Sequence, residues 1–180
     1  MKHTISQLLA AFLLVALAVP ATATNTTLTI PMDQIRTRSG ARGTFYLVNV
    51  LIPRDIVGNR LDMAMIEFAV EATALSESDS VVTPVVGVFP LTREFVDGGQ
   101  GVNAASPVFK GTVPSARPVA LGAKRVLRMD ITNIVRGWMN EPSSNHGLVI
   151  GSLTGPEVGI VTLKETGPGA ETPIRITFFY

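Results

Sequence analysis

The sequence predicts an all-β protein: an antiparallel β-sandwich, jelly-roll-like, with one short α-helix. Segments that alternate apolar and polar residues recur along the chain, and Gly, Pro, Asn and Asp residues separate them. After the N-terminus, one segment alone has its apolar residues at convincing helical spacing. No internal repeat of fixed period is visible. These observations together favour a sandwich of many short strands.

The first 23 residues have the features of a secretory signal peptide. Lys2 precedes an apolar run at 8–19, and Ala21-Thr22-Ala23 supplies the small residues expected at a cleavage site. The apolar run is shorter than a membrane-spanning helix requires. We therefore expect 1–23 to be a signal peptide and 24–180 to form a single β-sandwich domain. Such a protein is secreted or extracytoplasmic, with no membrane insertion after signal cleavage.

The composition of the mature chain excludes several partners and chemistries. Without the signal peptide the chain keeps 157 residues, enough for a sizeable core, with 14 basic and 14 acidic residues. No basic run occurs, so nucleic acid and anionic membrane surfaces are poor candidate partners. Because the chain has no Cys, it has no disulfides, no thiol catalysis and no Cys-based metal site.

The segment 126–150 combines a strand, the predicted helix and a second strand. Residues three and four positions apart form the apolar face of the helix. They are Ile131, Ile134, Val135, Trp138 and Met139. Asp130 or Thr132 is suited to cap the helix start, and Pro142 ends the pattern. A helix of two turns is unstable alone, so we expect Trp138 to pack into the core rather than form a platform for sugar stacking.

Seven to nine strands are expected. The clearest alternation lies at 61–71, where Glu67 and Glu71 share one face and the apolar residues face the other way. The apolar residues are Ala64, Ile66, Phe68 and Val70. The other expected strands lie at 24–30, 45–52, 81–90, 147–153, 158–164 and 174–180. Glu67 and Glu71 are separated by about 13 Å along a strand, too far for the carboxylate pair of a glycosidase.

Two segments are expected to be irregular. The segment 31–43 contains Arg36, Arg38 and Arg42, and its Gly and Ser residues favour a solvated loop over a phosphate-binding site. The segment 97–118 is the longest region without a period, and long loops of this kind are often functional.

Catalytic residues are not predicted. The mature chain has one His, His146, which lies between Asn and Gly and is expected in an exposed turn. There is no Gly-x-Ser-x-Gly motif and no cluster with metal-ligand spacing. Catalysis by carboxylates would require Glu94, Asp97 and Asp130 to converge in space. We therefore expect a protein that is not an enzyme and has no cofactor.

A string of residues around the helix resembles a known family. The string runs from Asp130-Ile131-Thr132 through Trp138 to Asn145-His146-Gly147-Leu148. It is similar to the motif of the DNRLRE domain, a carbohydrate-binding-module-like β-sandwich of secreted microbial proteins, which is related to the propeptide sandwich of transforming growth factors. The segments 64–70 and 174–180 also fit that pattern. The structural motif then consists of Asp130, Thr132, Trp138, Asn145 and Gly147. The mid-domain Trp usual in the family is absent, and Thr-Arg-Glu-Phe stands at 92–95 in its place.

The resemblance and the signal peptide lead to two functional hypotheses. The first is a secreted non-catalytic module that binds polysaccharide or another cell-surface polymer. The alternative is a structural or assembly protein of the cell envelope or extracellular matrix, with self-association. The low aromatic content, 6%, counts against strong sugar stacking. The absence of room for an attached catalytic domain slightly favours the alternative.

Overall fold

The computed structural model describes residues 24–40, 43–58, 60–73, 83–92, 115–122, 124–154, 160–164 and 174–180. Within these residues it contains ten β-strands, one α-helix and two short 3-10 turns. The strands are β1 (Asn25–Ile30), β2 (Ile35–Gly40), β3 (Gly43–Val48), β4 (Met63–Thr73), β5 (Val85–Pro90), β6 (Ser115–Pro118), β7 (Lys124–Asp130), β8 (Leu148–Ser152), β9 (Ile160–Lys164) and β10 (Ile174–Phe179). The helix, α1, is Thr132–Asn140. The predicted signal peptide lies outside the described residues.

The strands form two five-stranded antiparallel sheets, as the predicted fold class requires. In sheet A the order is β1-β10-β4-β7, and β9 also pairs with β4. In sheet B the order is β2-β3-β8-β5-β6. Inward side chains from both sheets belong to one apolar core. The prediction of an all-β sandwich with one short helix is confirmed.

β4 is the central strand of sheet A. Its residues 63–68 pair with β10, residues 69–73 pair with β9, and β7 pairs along the other side. β9 and β10 therefore follow one another along the same side of β4. The inward side chains predicted from the alternation are all fully buried, namely Ala64, Ile66, Phe68 and Val70. Burial of each of the larger ones contributes about 1.5–3 kcal/mol.

The helix packs on the sandwich through its predicted apolar face. Ile131, Val135 and Trp138 are buried, and Ile134 and Met139 contact the same core. Trp138 is 3% exposed, which confirms that the indole belongs to the core. The helix ends at Asn140, and a 3-10 turn that begins with Pro142 follows, because proline cannot continue the helical hydrogen bonding.

The prediction of an exposed loop at 31–43 is wrong. A 3-10 turn, Met32–Gln34, is followed by β2, which pairs with β3 along its whole length. Arg36 and Arg38 are exposed on this strand, which lies at the edge of sheet B. The segment lacks an apolar period because the hydrogen bonds to β3, rather than burial of its side chains, make it a strand.

Three other expectations about the elements need correction. The irregular region predicted at 97–118 ends in a strand, β6, which pairs with β5; residues 97–114 lie outside the described residues. The strand expected at 45–52 ends at Val48. The expected seven to nine strands are too few, since the described residues contain ten.

Both faces of β3 are covered, as its apolar sequence predicts. Tyr46 and Val48 face the core between the sheets, whereas Phe45 and Leu47 lie on the outer face of sheet B beside Val149. A Cβ atom at Gly151, which is opposite Phe45, would lie 2.5 Å from the phenyl ring. Glycine at that position therefore allows the ring to lie against the sheet.

Candidate functional site

The first residues of the predicted motif attach the start of α1 to β4. The Thr132 hydroxyl accepts a hydrogen bond from the Ala64 backbone N–H at 2.9 Å, and the Ile131 N–H donates to the Ala64 carbonyl at 2.9 Å. Asp130 accepts from the Thr132 N–H at 2.8 Å through Oδ1. Of the two possible caps, Asp130 is therefore the one that bonds to the helix start, while Thr132 satisfies a buried N–H on the sheet.

Arg136 strengthens the attachment of the same helix. Its Nε and Nη2 donate to the Leu61 carbonyl at 3.2 and 3.0 Å, and Nη2 also donates to the Asp62 carbonyl at 3.0 Å. These carbonyls lie just before β4. These hydrogen bonds and the buried Trp138 side chain hold α1 against the start of the central strand.

Asn145 and Gly147 form a tight corner between α1 and β8. Asn145 donates to the Val50 carbonyl at 2.8 Å and accepts from the Gly147 N–H at 3.2 Å. Gly147 has φ +93°, and a Cβ there would lie 2.4 Å from the Val48 carbonyl oxygen. A left-handed conformation in contact with another backbone requires glycine. His146, expected in an exposed turn, is instead half-buried at this corner.

The five motif residues thus shape the fold rather than a ligand surface. Thr132, Trp138 and Gly147 are buried, Asn145 is half-buried, and Asp130 alone of the five is exposed. The structure brings them together around α1 and its two flanking strands. Any ligand surface therefore lies among other residues.

A row of charged side chains crosses the outer face of sheet A. Arg175 on β10 and Arg128 on β7 lie on either side of Glu67 on β4, in the register of the three strands. Arg175 Nη2 donates to Glu67 Oε1 at 2.8 Å, and Arg128 Nε donates to Glu67 Oε2. Both guanidinium groups retain further N–H groups, and the side chain of Arg128 is 74% exposed. The row presents two cations to solvent, and the side chain of Glu67 between them is largely covered.

This row borders a shallow hollow of about 380 Å³. Its lining combines an aromatic ring, a thioether, two hydroxyls and the three charged groups. The lining residues are Thr27, Met65, Glu67, Arg128, Arg175, Thr177 and Phe179. The hydroxyls of Thr27 and Thr177 lie 3.2 Å apart, and either one can donate. An apolar surface beside a few convergent polar groups is typical of ligand sites.

The sequence predicts the face of Glu67 correctly but not its partners. Period-2 alternation alone places Arg175 and Phe179 opposite the buried residues of β10 and therefore on the outer face. The sequence does not report the register that sets β7 and β10 beside β4. Those strands are distant from β4 in the sequence, so no local pattern reports their pairing.

A second polar cluster joins the two ends of the described chain. Thr26 and Tyr180 donate hydrogen bonds to Asp55 Oδ2 at 2.6 and 2.8 Å, and their own hydroxyls lie 3.1 Å apart. These bonds hold the pKa of the Asp55 carboxyl below its usual value because they stabilise the ionised form. Asp55 connects the loop before β4 to the first and last strands, which is a structural role.

Groups with metal-binding geometry do not appear in the described part of the chain. No three His, Asp or Glu residues within it lie close enough together to hold a metal ion. Glu94 and Asp97 lie outside the described residues, so their convergence with Asp130 stays untested. Among the described helices, none is long and apolar enough to cross a membrane.

No protein-family model matches this chain, and no curated protein matches its sequence. The resemblance to the DNRLRE domain therefore stays a prediction.

Proposed function

We propose that the protein is a secreted, non-catalytic β-sandwich module that binds polysaccharide or another cell-surface polymer through the hollow on sheet A. The proposal is carried by one observation: an aromatic side chain, Phe179, and two guanidinium groups line the same hollow. Aromatic rings pack against the apolar faces of sugar rings. Guanidinium and hydroxyl groups supply the hydrogen bonds that orient sugar hydroxyls.

The position of the hollow suits a polymer. It lies on the outer face of a sheet, with Arg128 and Arg175 at its border and both side chains more than half exposed. A polymer can cross such a face and leave at either side. The predicted signal peptide at 1–23 would deliver the protein to the compartment in which such polymers occur.

The charge of the hollow favours acidic polymers. Its two guanidinium groups exceed the single carboxylate of Glu67 by one positive charge. We expect a polysaccharide with carboxylate or sulfate groups to bind more tightly than a neutral one. Because the groups are exposed, salt should reduce this preference.

The test is a pull-down of the purified protein with a panel of neutral and acidic polysaccharides, at low and moderate salt. We expect saturable binding to at least one polymer, and its loss in Phe179→Ala and Arg175→Ala. The matched control is Arg117→Ala, which removes an exposed arginine from β6 on the other sheet. Equal binding by all three variants would overturn the assignment of the hollow, as would a panel without any binding.

The second candidate function is a structural or assembly role in the cell envelope or extracellular matrix. It is favoured by a different observation, the unprotected edge of sheet A at β1. The two surfaces adjoin, since Thr27 of β1 also lines the hollow, so the two functions are tested with separate measurements and with different variants.

A further inference from the structure

Most edge strands of this sandwich carry features that discourage pairing with another chain. In sheet B, β2 has Arg36 and Arg38, and β6 is four residues long with Arg117 and a terminal proline. β7, at one edge of sheet A, has three basic residues and an acidic one. On β9, the Leu163 N–H donates to the Tyr46 hydroxyl at 3.0 Å instead of facing solvent. Charges, prolines, short length and capped N–H groups are the usual protections of an edge.

Among the described residues, β1 has none of these protections. Its sequence is Asn-Thr-Thr-Leu-Thr-Ile, without charge or proline, and its register with β10 is continuous from Asn25 to Ile30 without a bulge. Within the described residues, β10 is its single strand partner. An edge of this kind offers free backbone groups to a further strand.

The alternation of hydrogen bonds between β1 and β10 identifies which backbone groups of β1 point away from β10. The Thr24 N–H donates to the Tyr180 carbonyl, and the Tyr180 N–H donates to the Thr24 carbonyl, both at 3.0 Å. Antiparallel pairs alternate, so the even-numbered residues of β1 direct their backbone groups toward β10. The N–H and C=O groups of Asn25, Thr27 and Thr29 therefore point away from the sheet.

We propose that β1 is a docking edge for β1 of a second copy of this chain, related by a two-fold axis at Thr27. Antiparallel pairing about that axis sets Thr27 opposite its equivalent and Asn25 opposite Thr29. These three pairs each exchange two backbone hydrogen bonds, about six in all. The inference deepens the assembly role proposed above and does not depend on polymer binding.

A second copy fits this edge for two reasons. The residues with outward backbone groups, Asn25, Thr27 and Thr29, are spaced symmetrically about Thr27. Each copy of β1 can therefore bond all of the outward N–H and C=O groups of the other copy. The exposed side chains that would meet on the outer face are Asn25, Thr27 and Thr29, which carry no charge to repel. Threonines facing each other across strands can form hydrogen bonds, as Thr27 and Thr177 do at 3.2 Å within the chain. Pairing would join the two A sheets into one.

Single cysteines test this register, because the chain has no Cys of its own. Across a two-fold axis at Thr27, the two Cα atoms would lie about 5.5 Å apart, a distance that a disulfide can span. We expect Thr27→Cys to form a covalent dimer under mild oxidation. The matched control is Thr29→Cys, on the same strand and face, whose equivalents would lie about 13 Å apart. We expect it to stay largely uncrosslinked.

Sedimentation velocity of the unmodified protein, without polysaccharide, completes the test. We expect a concentration-dependent dimer that Thr27→Lys weakens, because two lysines would meet at the axis. Circular dichroism and thermal melting would verify that each variant is folded. A monomer at all concentrations overturns both the inference and the assembly role. A dimer in which Thr27→Cys does not crosslink, or crosslinks no more than Thr29→Cys, overturns the inference alone. Polymer binding is judged from the Phe179 and Arg175 variants on β10 and not from the Thr27 variants, so its outcome stays distinguishable from these results.

Discussion

The hydroxyl of Thr132 lies 2.9 Å from the backbone nitrogen of Ala64 and accepts its hydrogen bond in the buried interior. Ala64 is near the start of the central strand, and Thr132 is the first residue of the helix. The Thr132 side chain therefore accepts the hydrogen bond that a neighbouring strand would otherwise accept, at the point where the sheet meets α1. A buried N–H without such a partner is costly.

Thr132→Val keeps the shape of the side chain but removes the acceptor for the Ala64 N–H. We expect the free energy of unfolding to fall by about 1–3 kcal/mol, the cost of an unsatisfied buried donor. Urea denaturation measures this loss. Thr132→Ser keeps the hydroxyl and should lose clearly less. If the two variants were equally stable, the hydrogen bond would not be the cause.

Trp138→Ala removes the largest side chain that α1 contributes to the core. We expect a loss of about 3–5 kcal/mol in the free energy of unfolding, because the indole is buried and a cavity would remain. The control is Asn133→Ala, an exposed position on the same helix. An unchanged denaturation midpoint in Trp138→Ala would show that the indole does not hold the helix to the sheets.

Gly147→Ala tests the corner before β8. Glycine is required there for two reasons, the positive φ and the contact with the Val48 carbonyl. Gly58→Ala is the matched control, since Gly58 has φ +97° but a Cβ added there would meet no atom within 4 Å. We expect both variants to be strained, and Gly147→Ala to lose about 1–3 kcal/mol more through the steric clash. Equal thermal stabilities would contradict the close approach.

Asp55→Asn tests the cluster that joins the chain ends. A depressed carboxyl pKa in the folded state stabilises the protein above the pKa of the unfolded form, and this contribution is lost as pH falls through the folded pKa. We expect the variant to melt at a lower temperature than the unmodified protein at neutral pH. The difference should shrink as the pH falls below the ordinary value of 3.8.

Tyr180→Phe is the companion variant, because it removes one of the two side-chain donors to Asp55. We expect it to reproduce part of the effect of Asp55→Asn with the same dependence on pH. A difference in melting temperature that is constant from neutral to acidic pH would contradict the role of the carboxylate charge.

Strands that bury one face could be predicted from the sequence, and polar edge strands could not. The alternation at β4 and β10 reports directly which side chains enter the core. β2 and β6 are edge strands with exposed side chains at Arg36, Arg38 and Arg117, so their sequences carry no apolar period. Their structure depends on hydrogen bonds to β3 and β5, which a local pattern does not report.

The candidate site could be predicted only in part, because a local sequence pattern does not report strand pairing. Alternation places Glu67 on the outer face, and the absence of a glycosidase-like carboxylate pair follows from its spacing to Glu71. The neighbours of Glu67 depend on the register of three strands that are far apart in the sequence. The resemblance points to a structural motif around Trp138, which the sequence predicts to be buried and which the fold buries. The motif around α1 is thus structural, while the candidate binding surface lies on the outer face of sheet A.

Methyl NMR of the methionines tests the proposed binding face most directly. Met65 lines the hollow, and Met32, 37% exposed in the turn before β2, is an internal control outside it. Titration with an acidic polysaccharide that binds in the pull-down should shift the Met65 methyl signal in a saturable manner and leave Met32 unchanged. Saturable binding with no change at Met65 would contradict recognition through the hollow on sheet A.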